Sequence, residues 1–495
     1  MSILNNRVRR KWQKTNSGII AVAFCLTLVW LKIKDLFPRI EFTQWLGRGR
    51  ESFSQSQVTG RFTELFYLTF DDPSKYNARN FSWVFESGIG PLCKTNITCA
   101  NTIAFIPVAL YIIAIFLILS FIGCSRLESS VGSVIVLLSF PSISILSWQA
   151  TIPDRLAAFL FCVSLIYIYK NLEIDSLSIH QSILVVFVFF SLCLLSVSSK
   201  EAAWILLPIT LVLPFLFLPY NFYAIMKRFL ITLPSVLFMV FHILDNYVKI
   251  VKDPHLLGGN PLSNLRQFSK YLFQFEYSYI FVFLITLALF TLLVQAVFSN
   301  ENILVKMFNI RILTLAFIAF ISSWVIPIRT QFASPFYMWL PTGVTIISIM
   351  ILFKFSTFRF TSNGFIGLFR FFRPLVVFVL YFMVLATSIH QFPTSGGFVL
   401  KLDQNFQNSR NELADFRKIY PDYRISFWAP SSVFIAYQFV SSDPASHFWY
   451  FVGGSKSVDE KYASQLTDSK CGLRATKSAV AVFNEDFKLV EICSR

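Results

Sequence analysis

Residues Ile103–Gly123 read IAFIPVALYIIAIFLILSFIG and contain no charged side chain. An α-helix needs about 20 consecutive apolar residues to cross the hydrocarbon core of a bilayer, so this stretch predicts a membrane-spanning helix. The rest of the chain has the same character. Of 495 residues, 55% are hydrophobic and 14% are charged, whereas a soluble protein carries about 25% charged residues. The composition predicts an all-α polytopic membrane protein and excludes an ordinary soluble enzyme.

Eleven apolar segments of this kind are predicted to span the membrane. They lie near Ser17–Lys34, Ile103–Gly123, Val131–Trp148, Arg155–Tyr169, Gln181–Ser198, Ala202–Pro219, Phe229–Asp245, Phe275–Phe298, Ile312–Pro327, Phe336–Phe353 and Pro374–His390. Several of them are short, which allows tilted or re-entrant segments. The predicted transmembrane domain covers residues 1–392 and includes a long outer loop, residues 38–102.

The basic residues of the short loops predict the orientation. With the N-terminus in the cytoplasm, the inner loops receive a consistent set of cations, as the positive-inside rule requires. They are Arg126, Lys170, Lys227, Arg228, Lys306, Arg311, Lys354, Arg359, Arg370 and Arg373. This distribution explains the net charge of +16 better than nucleic-acid binding does. The basic N-terminal segment lacks the usual small-residue cleavage site and predicts a retained anchor.

An odd number of spans places residues 393–495 outside, where the pattern predicts a small α/β domain. Asn405–Ile419 has the periodicity of an amphipathic helix, and Tyr423–Ala429 alternates like a strand. Ser478–Phe483 and Phe487–Cys493 are predicted to form a hairpin.

Four of the eight cysteines fall in predicted outer regions, as Cys93/Cys99 and Cys471/Cys493. Two disulfides in an oxidising compartment fit this placement. Zinc would favour tighter Cys/His spacing.

The outer loop carries the acidic pair Asp71-Asp72, followed by Pro73. A carboxylate held near the lipid headgroups can act as general base on a sugar hydroxyl. The alternative is that Asp72 caps a helix that begins at Pro73. The two roles are compatible, because a capping carboxylate is also a positioned one.

Basic residues in other predicted outer turns are candidates for phosphate binding. Arg155 lies in the same predicted turn as Trp148. It is predicted either to bind a phosphate or to act with Trp148 as an ordinary anchor at the membrane interface. Lys200 precedes Glu201 in the next turn, where the pair either neutralises itself or holds a phosphate. Arg329 follows a later apolar segment, with an aromatic belt as the alternative reading.

The predicted outer loop from Asn246 to Gln274 adds a basic cluster that runs against the orientation rule. An anionic ligand or a solvated surface would explain it. Its charged residues are Lys249, Lys252, Asp253, His255, Arg266 and Lys270. All these candidate loops fall on one side under an orientation chosen from the inner cations alone.

This layout resembles the GT-C superfamily of integral-membrane glycosyltransferases, in which an acidic motif lies in the first outer loop. Phe70-Asp71-Asp72 is similar to that motif, and Ser199-Lys200-Glu201 resembles a second one. The run Ser147-Trp148-Gln149-Ala150 with Asp154-Arg155 resembles a third. Tyr337 with Leu340-Pro341 resembles a fourth, but Phe336 replaces its usual arginine, so Arg329 would have to serve instead.

Within the superfamily the chain is similar to bacterial serotype-converting O-antigen glucosyltransferases, which have an outer C-terminal portion with a Phe-Trp-Tyr run. Phe448-Trp449-Tyr450 matches it here. The resemblance implies the inner membrane, a periplasmic C-terminal domain and a role in lipopolysaccharide biosynthesis. It also implies a polyprenyl-phosphate sugar donor and a lipid-linked glycan acceptor, with no nucleic acid.

The resemblance further implies inverting transfer of a sugar, with glucose expected. Asp71 or Asp72 would take the proton of the acceptor hydroxyl. The departing lipid phosphate would be stabilised by Arg155, Lys200, Arg329 or Arg266, and the acceptor supported by Glu201, Trp148, Phe448, Trp449 and Tyr450. A divalent metal is an alternative to these cations, and no metal ligand is predicted. The rival functions are a polymerase or ligase of the same glycan, a flippase or other transporter, and a non-catalytic scaffold.

Overall fold

A computed structural model describes most of the apolar part of the chain. The described residues are 16–34, 96–147, 151–172, 178–217, 222–252, 260–273, 276–299, 302–329, 335–356, 420–428, 478–483 and 488–494. Single positions within 81–93 and 405–419, and residue 382, are also described.

Twelve α-helices are formed by the described part of the apolar region. They are α1 (Asn16–Ile33), α2 (Ile97–Ile122), α3 (Arg126–Leu138), α4 (Phe140–Ser147), α5 (Ile152–Leu172), α6 (Ile179–Val197), α7 (Leu206–Val212), α8 (Phe222–Lys252), α9 (Pro261–Phe273), α10 (Tyr279–Val297), α11 (Ile303–Arg329) and α12 (Trp339–Ser356). Short 3₁₀ turns at Glu201–Ile205 and Leu213–Leu216 flank α7, and a third, Pro335–Met338, precedes α12.

A contiguous apolar core joins the helices of this bundle and extends from Val22 in α1 to Phe355 in α12. Large apolar side chains also point outward, among them Phe187 of α6 and Phe283 of α10. Exposed apolar helix faces are expected where lipid, rather than water, surrounds a bundle. The chain is therefore an integral membrane protein.

The described helices do not confirm eleven spans. Six are long and apolar enough to cross a membrane, and a seventh span results if the bent pair α3–α4 is counted as one. Three shorter apolar stretches, Gly18–Ile33, Glu201–Leu216 and Trp339–Phe355, coincide with further predicted segments. The predicted segment Pro374–His390 lies almost wholly outside the described residues.

The predicted segment Val131–Trp148 is two helices that meet at an angle of 58°. Ser139 has an extended backbone, with ψ of 156°, and ends α3. Its side-chain oxygen then accepts from the N–H of Ser142 at 3.4 Å, at the start of α4. Pro141 fits there, because the first turn of a helix needs no N–H from it. Ser139 thus ends α3 and caps the start of α4, and the bend directs α4 toward the site described below.

The two ends of the bundle are each defined by contacts between helix termini. At one end, Asn101 donates to the carbonyl of Lys34 at 3.0 Å, so α1 ends where α2 begins. At the other, Ser130 donates to the carbonyl of Gly18 at 3.3 Å, and Lys354 donates to the carbonyl of Ile122. The first is called the site end and the second the opposite end. The sequence predicts that they face outward and inward, respectively.

The C-terminal region contains the predicted strands in a three-stranded sheet of order β1-β2-β3. The strand β1 (Arg424–Trp428) pairs in parallel with β2 (Ser478–Phe483), and β2 pairs in antiparallel fashion with β3 (Leu489–Ser494). Ser409, from the predicted helix Asn405–Ile419, accepts from the N–H of Leu489 at 2.7 Å. These elements agree with the predicted α/β fold.

The predicted disulfide Cys93–Cys99 is present, with a Cα–Cα distance of 5.4 Å. Cys493 is also disulfide-bonded, and its predicted partner, Cys471, lies outside the described residues. Four cysteines are free thiols, and Cys124, Cys162 and Cys193 are buried. Burial raises the pKa of the Cys124 thiol to about 11, against the opposing effect of Lys354, so it stays protonated at neutral pH.

A thiol-labelling experiment on sealed membranes tests the orientation of the Cys93–Cys99 disulfide. We expect a membrane-impermeant maleimide to label this pair only after reduction, and only from the extracytoplasmic side, since disulfides persist in oxidising compartments. The Cys93→Ser/Cys99→Ser double variant should lose the part of the reduction-dependent signal that comes from this pair and keep the part that comes from the disulfide of Cys493. Labelling that needs access from the cytoplasmic side would contradict the predicted orientation.

Candidate functional site

A buried cluster of charged side chains lies at the site end of the bundle, around Lys200. The Lys200 ammonium is 3.6 Å from a carboxylate oxygen of Asp154 and 3.9 Å from one of Glu201. It also lies 5.3 Å from the centre of the Tyr337 ring. Lys200 is 4% exposed, Asp154 5% and Glu201 9%. The ammonium is therefore held between two carboxylates and an aromatic face in an environment with little solvent.

The local backbone explains why Lys200 points into the bundle. The hydroxyls of Ser198 and Ser199 donate back to carbonyls of α6, at Leu194 and Leu195, and help to end that helix. Lys200 then adopts an extended conformation, with φ of −162° and ψ of 149°. The 3₁₀ turn that begins at Glu201 packs against α5 and α11. This turn brings Lys200 to the start of α5, where Asp154 lies.

Arg155, predicted to bind a phosphate, is 1% exposed and bonded to the protein backbone. Its Nη1 donates to the carbonyl of Ala104 in α2 at 2.7 Å, and its Nη2 donates to that of Ile145 in α4. Its Nε donates to the hydroxyl of Thr151 at 3.4 Å. The guanidinium thus joins three helices. These bonds favour a positioning role for Arg155, because its guanidinium N–H groups donate to backbone carbonyls.

The four central charges of the cluster balance one another. Asp154 and Glu201 carry two negative charges, and Arg155 and Lys200 carry two positive ones. Because their formal charges sum to zero, these four side chains together attract an incoming phosphate only weakly. Attraction of an anionic substrate to this end must therefore come mainly from other cations.

Two exposed arginines at the site end are suited to attracting an anionic substrate. Arg329 is the last residue of α11, and Asn264 of α9 donates to the carbonyl of the preceding Ile328 at 3.0 Å. Arg266, two residues further along α9, lies 5.3 Å from the centre of the Tyr279 ring. The helix α9 also contacts the 3₁₀ turn that carries Tyr337. These cations therefore stand on elements that adjoin the Lys200 cluster.

The acidic pair Asp71-Asp72 lies outside the described residues, but the chain after it returns to this site. The N–H of Phe81 donates to the carbonyl of Ser198, two residues before Lys200, at 3.2 Å. Ile89 and Cys93 then pack on the beginnings of α2 and α5 in a small apolar cluster. Phe81, nine residues after Asp72, is thus bonded to the turn that carries Lys200.

Several other predicted site residues are outside the described part of the chain. Trp148, Phe448, Trp449 and Tyr450 are among them, so their predicted roles stay predictions. Within the described residues, no group of three or more His, Cys, Asp or Glu side chains is arranged to hold a metal ion.

Two members of the cluster were not predicted as site residues. The sequence places Asp154 beside Arg155 in a motif run and predicts no function for it. Tyr337 belongs to a short motif in the sequence, and in the structure it supplies the ring beside Lys200. A signal for Asp154 was present, since an acidic residue in the first turn of an apolar helix needs a partner when it is buried.

No family model, curated protein or solved structure matches this chain.

Proposed function

We propose that the chain is an inverting glycosyltransferase of the GT-C type. It moves a sugar, glucose in this proposal, from a polyprenyl-phosphate donor to a lipid-linked glycan such as O-antigen, on the outer face of the bacterial inner membrane. The observation that carries the proposal is the Phe81–Ser198 hydrogen bond. It puts Phe81, nine residues after Asp72, beside the turn with Lys200, and the proposed mechanism needs the acidic pair near that turn.

In the proposed reaction, Asp71 or Asp72 accepts the proton of the acceptor hydroxyl. The oxygen then attacks the anomeric carbon as the bond from that carbon to the donor phosphate breaks, and the phosphate leaves with the electron pair. Negative charge grows on the phosphate in the transition state, where cations contribute most to rate. In this proposal, Arg329 and Arg266, which are both exposed, stabilise that charge.

The buried cluster has a supporting role in this proposal. Arg155 fixes the start of α5 against α2 and α4, and the bridging Lys200 fixes the turn against which Phe81 rests. In this proposal, a fixed position for Phe81 reduces the entropic cost of ordering the carboxylates that precede it. The charged residues that are buried in the described part of the chain lie toward the two ends of the bundle, and a transporter would be expected to place some near the midplane.

The test is transfer of labelled glucose from polyprenyl-phosphate glucose to a lipid-linked glycan by the purified full-length protein. We expect Arg329→Gln and Arg266→Gln each to lower kcat/KM at least about tenfold, since each removes a charge that stabilises the leaving phosphate. Arg329→Lys and Arg266→Lys should each retain part of the kcat/KM that the glutamine variants lose. Lysine keeps the positive charge but lacks the planar guanidinium with its paired N–H donors.

Lys170→Gln is the matched control, because it removes an exposed cation at the opposite end of the bundle. It should leave kcat/KM unchanged. Movement of the donor across the membrane without any sugar transfer by the wild-type protein would overturn the proposal in favour of a flippase.

A further inference from the structure

Three aromatic side chains meet in the C-terminal region, where the helical stretch before β1 ends. The ring centre of Phe416 lies 4.9 Å from that of Tyr420 and 6.0 Å from that of Tyr423, and the two tyrosine rings are 5.1 Å apart. Aromatic rings attract one another at these distances. Tyr420 is 43% exposed, and Phe416 and Tyr423 are half-buried. These three side chains are called here the aromatic cluster.

The backbone holds the cluster in a fixed arrangement. The N–H of Tyr420 donates to the carbonyl of Phe416 at 2.9 Å, and the N–H of Tyr423 donates to the carbonyl of Tyr420 at 3.2 Å. Pro421, between the tyrosines, has a restricted φ, and Arg424 begins β1. The rings are therefore ordered before a ligand binds, which lowers the conformational entropy that binding costs.

The cluster continues a buried stripe of the same helical stretch. Ser409 and Leu413 are buried, and Ser409 accepts from the N–H of Leu489 in β3. Phe416 and Tyr420 follow Leu413 at helical spacing, but the stripe becomes exposed there. An exposed aromatic patch with polar residues at its edge commonly marks a binding site.

The size of the cluster favours a small ligand. Three aromatic side chains bury about 600 Å² when they are covered completely, and two of these three are already half-buried. A stable protein interface covers about 800 Å² of each partner. The exposed part of the cluster is therefore too small for a stable protein interface and matches a ligand of one or two rings.

A pyranose ring matches the chemistry of the cluster. One face of such a ring presents axial C–H bonds, whose weakly positive hydrogens pack well against the negative face of an aromatic ring. Its hydroxyl groups lie around the edge and need hydrogen-bonding partners where they lose water. A carboxylate beside the aromatic surface supplies them, because it accepts short, strong hydrogen bonds from hydroxyls.

Exposed carboxylates flank the cluster in the sequence on both sides. Glu412 precedes Phe416 by four residues, so the two are neighbours on the helix surface. Asp422 lies between the two tyrosines and, like Glu412, is exposed. Asp415 and Lys418 pair with each other outside this row. Glu412 and Asp422 repel a phosphate or another anion, so the favoured ligand is uncharged.

We propose that the aromatic cluster binds uncharged hexopyranose chains, with a sugar ring stacked on its exposed face. That this chain is the acceptor glycan rests on the proposed function, whereas the sugar-binding surface itself rests on the rings and the carboxylates beside them. The cluster touches no reacting atom in this proposal. Its contribution is to acceptor binding, and its loss therefore raises the KM for the acceptor and leaves kcat unchanged.

Saturation-transfer NMR of the full-length protein in phosphatidylcholine nanodiscs tests this surface. Cellotetraose is the uncharged probe and tetragalacturonate the anionic one. We expect saturation to reach the axial ring protons of cellotetraose, and cellotetraose to bind at least about tenfold more tightly than tetragalacturonate. The Phe416→Leu/Tyr420→Leu variant keeps apolar bulk without the rings, and it should lose about tenfold in affinity for cellotetraose.

Tyr223→Leu is the matched control, because it removes a tyrosine outside the cluster that is 79% exposed. It should bind cellotetraose as the wild type does. If the double variant does not fold, Tyr420→Leu decides, since Tyr420 is the most exposed ring of the three. That single variant must then lower the affinity at least about threefold.

No saturation of cellotetraose by the wild type, or unchanged affinity in the leucine variants, would refute the proposal. Equally tight binding of tetragalacturonate would refute the preference for an uncharged sugar. A dimer of the wild type that the leucine variants abolish, without sugar binding, would assign the cluster to a second copy of the chain and overturn the proposal.

The transfer assay separates this proposal from the proposed function. Sugar binding that depends on the cluster, in a protein that transfers no sugar, would support the surface and overturn the transferase. Sugar transfer with an acceptor KM that the leucine variants do not raise would support the transferase and refute the cluster as its acceptor site.

Discussion

Replacing both Asp71 and Asp72 by Asn is expected to abolish sugar transfer while the protein still inserts and purifies normally. A general base contributes about 10²–10⁴ in rate, so the loss of both carboxylates should bring kcat near the background. The single variants Asp71→Asn and Asp72→Asn identify the base, since the one that removes it should have the larger effect. The measurement is transfer from polyprenyl-phosphate glucose under single-turnover conditions, which separates chemistry from donor binding.

The change of aspartate to asparagine is nearly isosteric, and an asparagine can still cap a helix. A purely capping role for Asp72 therefore predicts almost full activity in the Asp72→Asn variant, whereas a role as base predicts its loss. Asp415→Asn, which alters an exposed carboxylate of the C-terminal region, is the control for the substitution itself. Full transfer by both single variants and by the double variant would rule out the acidic pair as the base.

The parts of the fold that depend on local pattern could be predicted from the sequence. The uncharged run Ile103–Gly123 lies in helix α2 up to its C-cap, and the predicted strand Tyr423–Ala429 and hairpin Ser478–Phe483/Phe487–Cys493 correspond to the strands of the small sheet. Long apolar runs must hydrogen-bond their own backbone in a bilayer, so their helical state follows from composition alone. The break at Ser139 is harder to predict, because an apolar run does not reveal the capping bonds that one serine makes to both neighbouring helices.

The partners of Lys200 could be predicted in part. Glu201 is its neighbour in sequence, and mutual neutralisation of the two is one of the two roles that the sequence predicts for the pair. The ion pair with Asp154 depends on how α5 packs against the 3₁₀ turn, and no local pattern encodes that contact. For the same reason, the sequence predicted Arg155 as a phosphate ligand, whereas its donors reach backbone carbonyls of two other helices. Tertiary packing decides which of several similar cations remain accessible to a ligand.

The Lys200→Met variant is expected to be strongly destabilised, and this is the largest effect on stability that we predict. Lys200 bridges two carboxylates that are themselves almost fully buried. Breaking a buried ion pair by removing one partner costs about 3–5 kcal/mol, because charge is left buried without its compensation. The measurement is the unfolding temperature of the detergent-purified protein, followed by tryptophan fluorescence, together with its monodisperse fraction after heating.

A matched exposed pair provides the control for this experiment. The Lys418 ammonium lies 2.9 Å from Asp415, with side chains that are 76% and 69% exposed, and such a pair contributes less than about 1 kcal/mol. Lys418→Met should therefore barely change the unfolding temperature. The triple variant Lys200→Met/Asp154→Asn/Glu201→Gln should recover much of the stability lost by Lys200→Met, since it removes the buried negative charge as well. If Lys200→Met unfolds at the wild-type temperature, the ammonium does not hold α5 to the turn. The Phe81 contact would then need another source of rigidity, because in the proposed mechanism the carboxylates that precede Phe81 must be positioned accurately for catalysis.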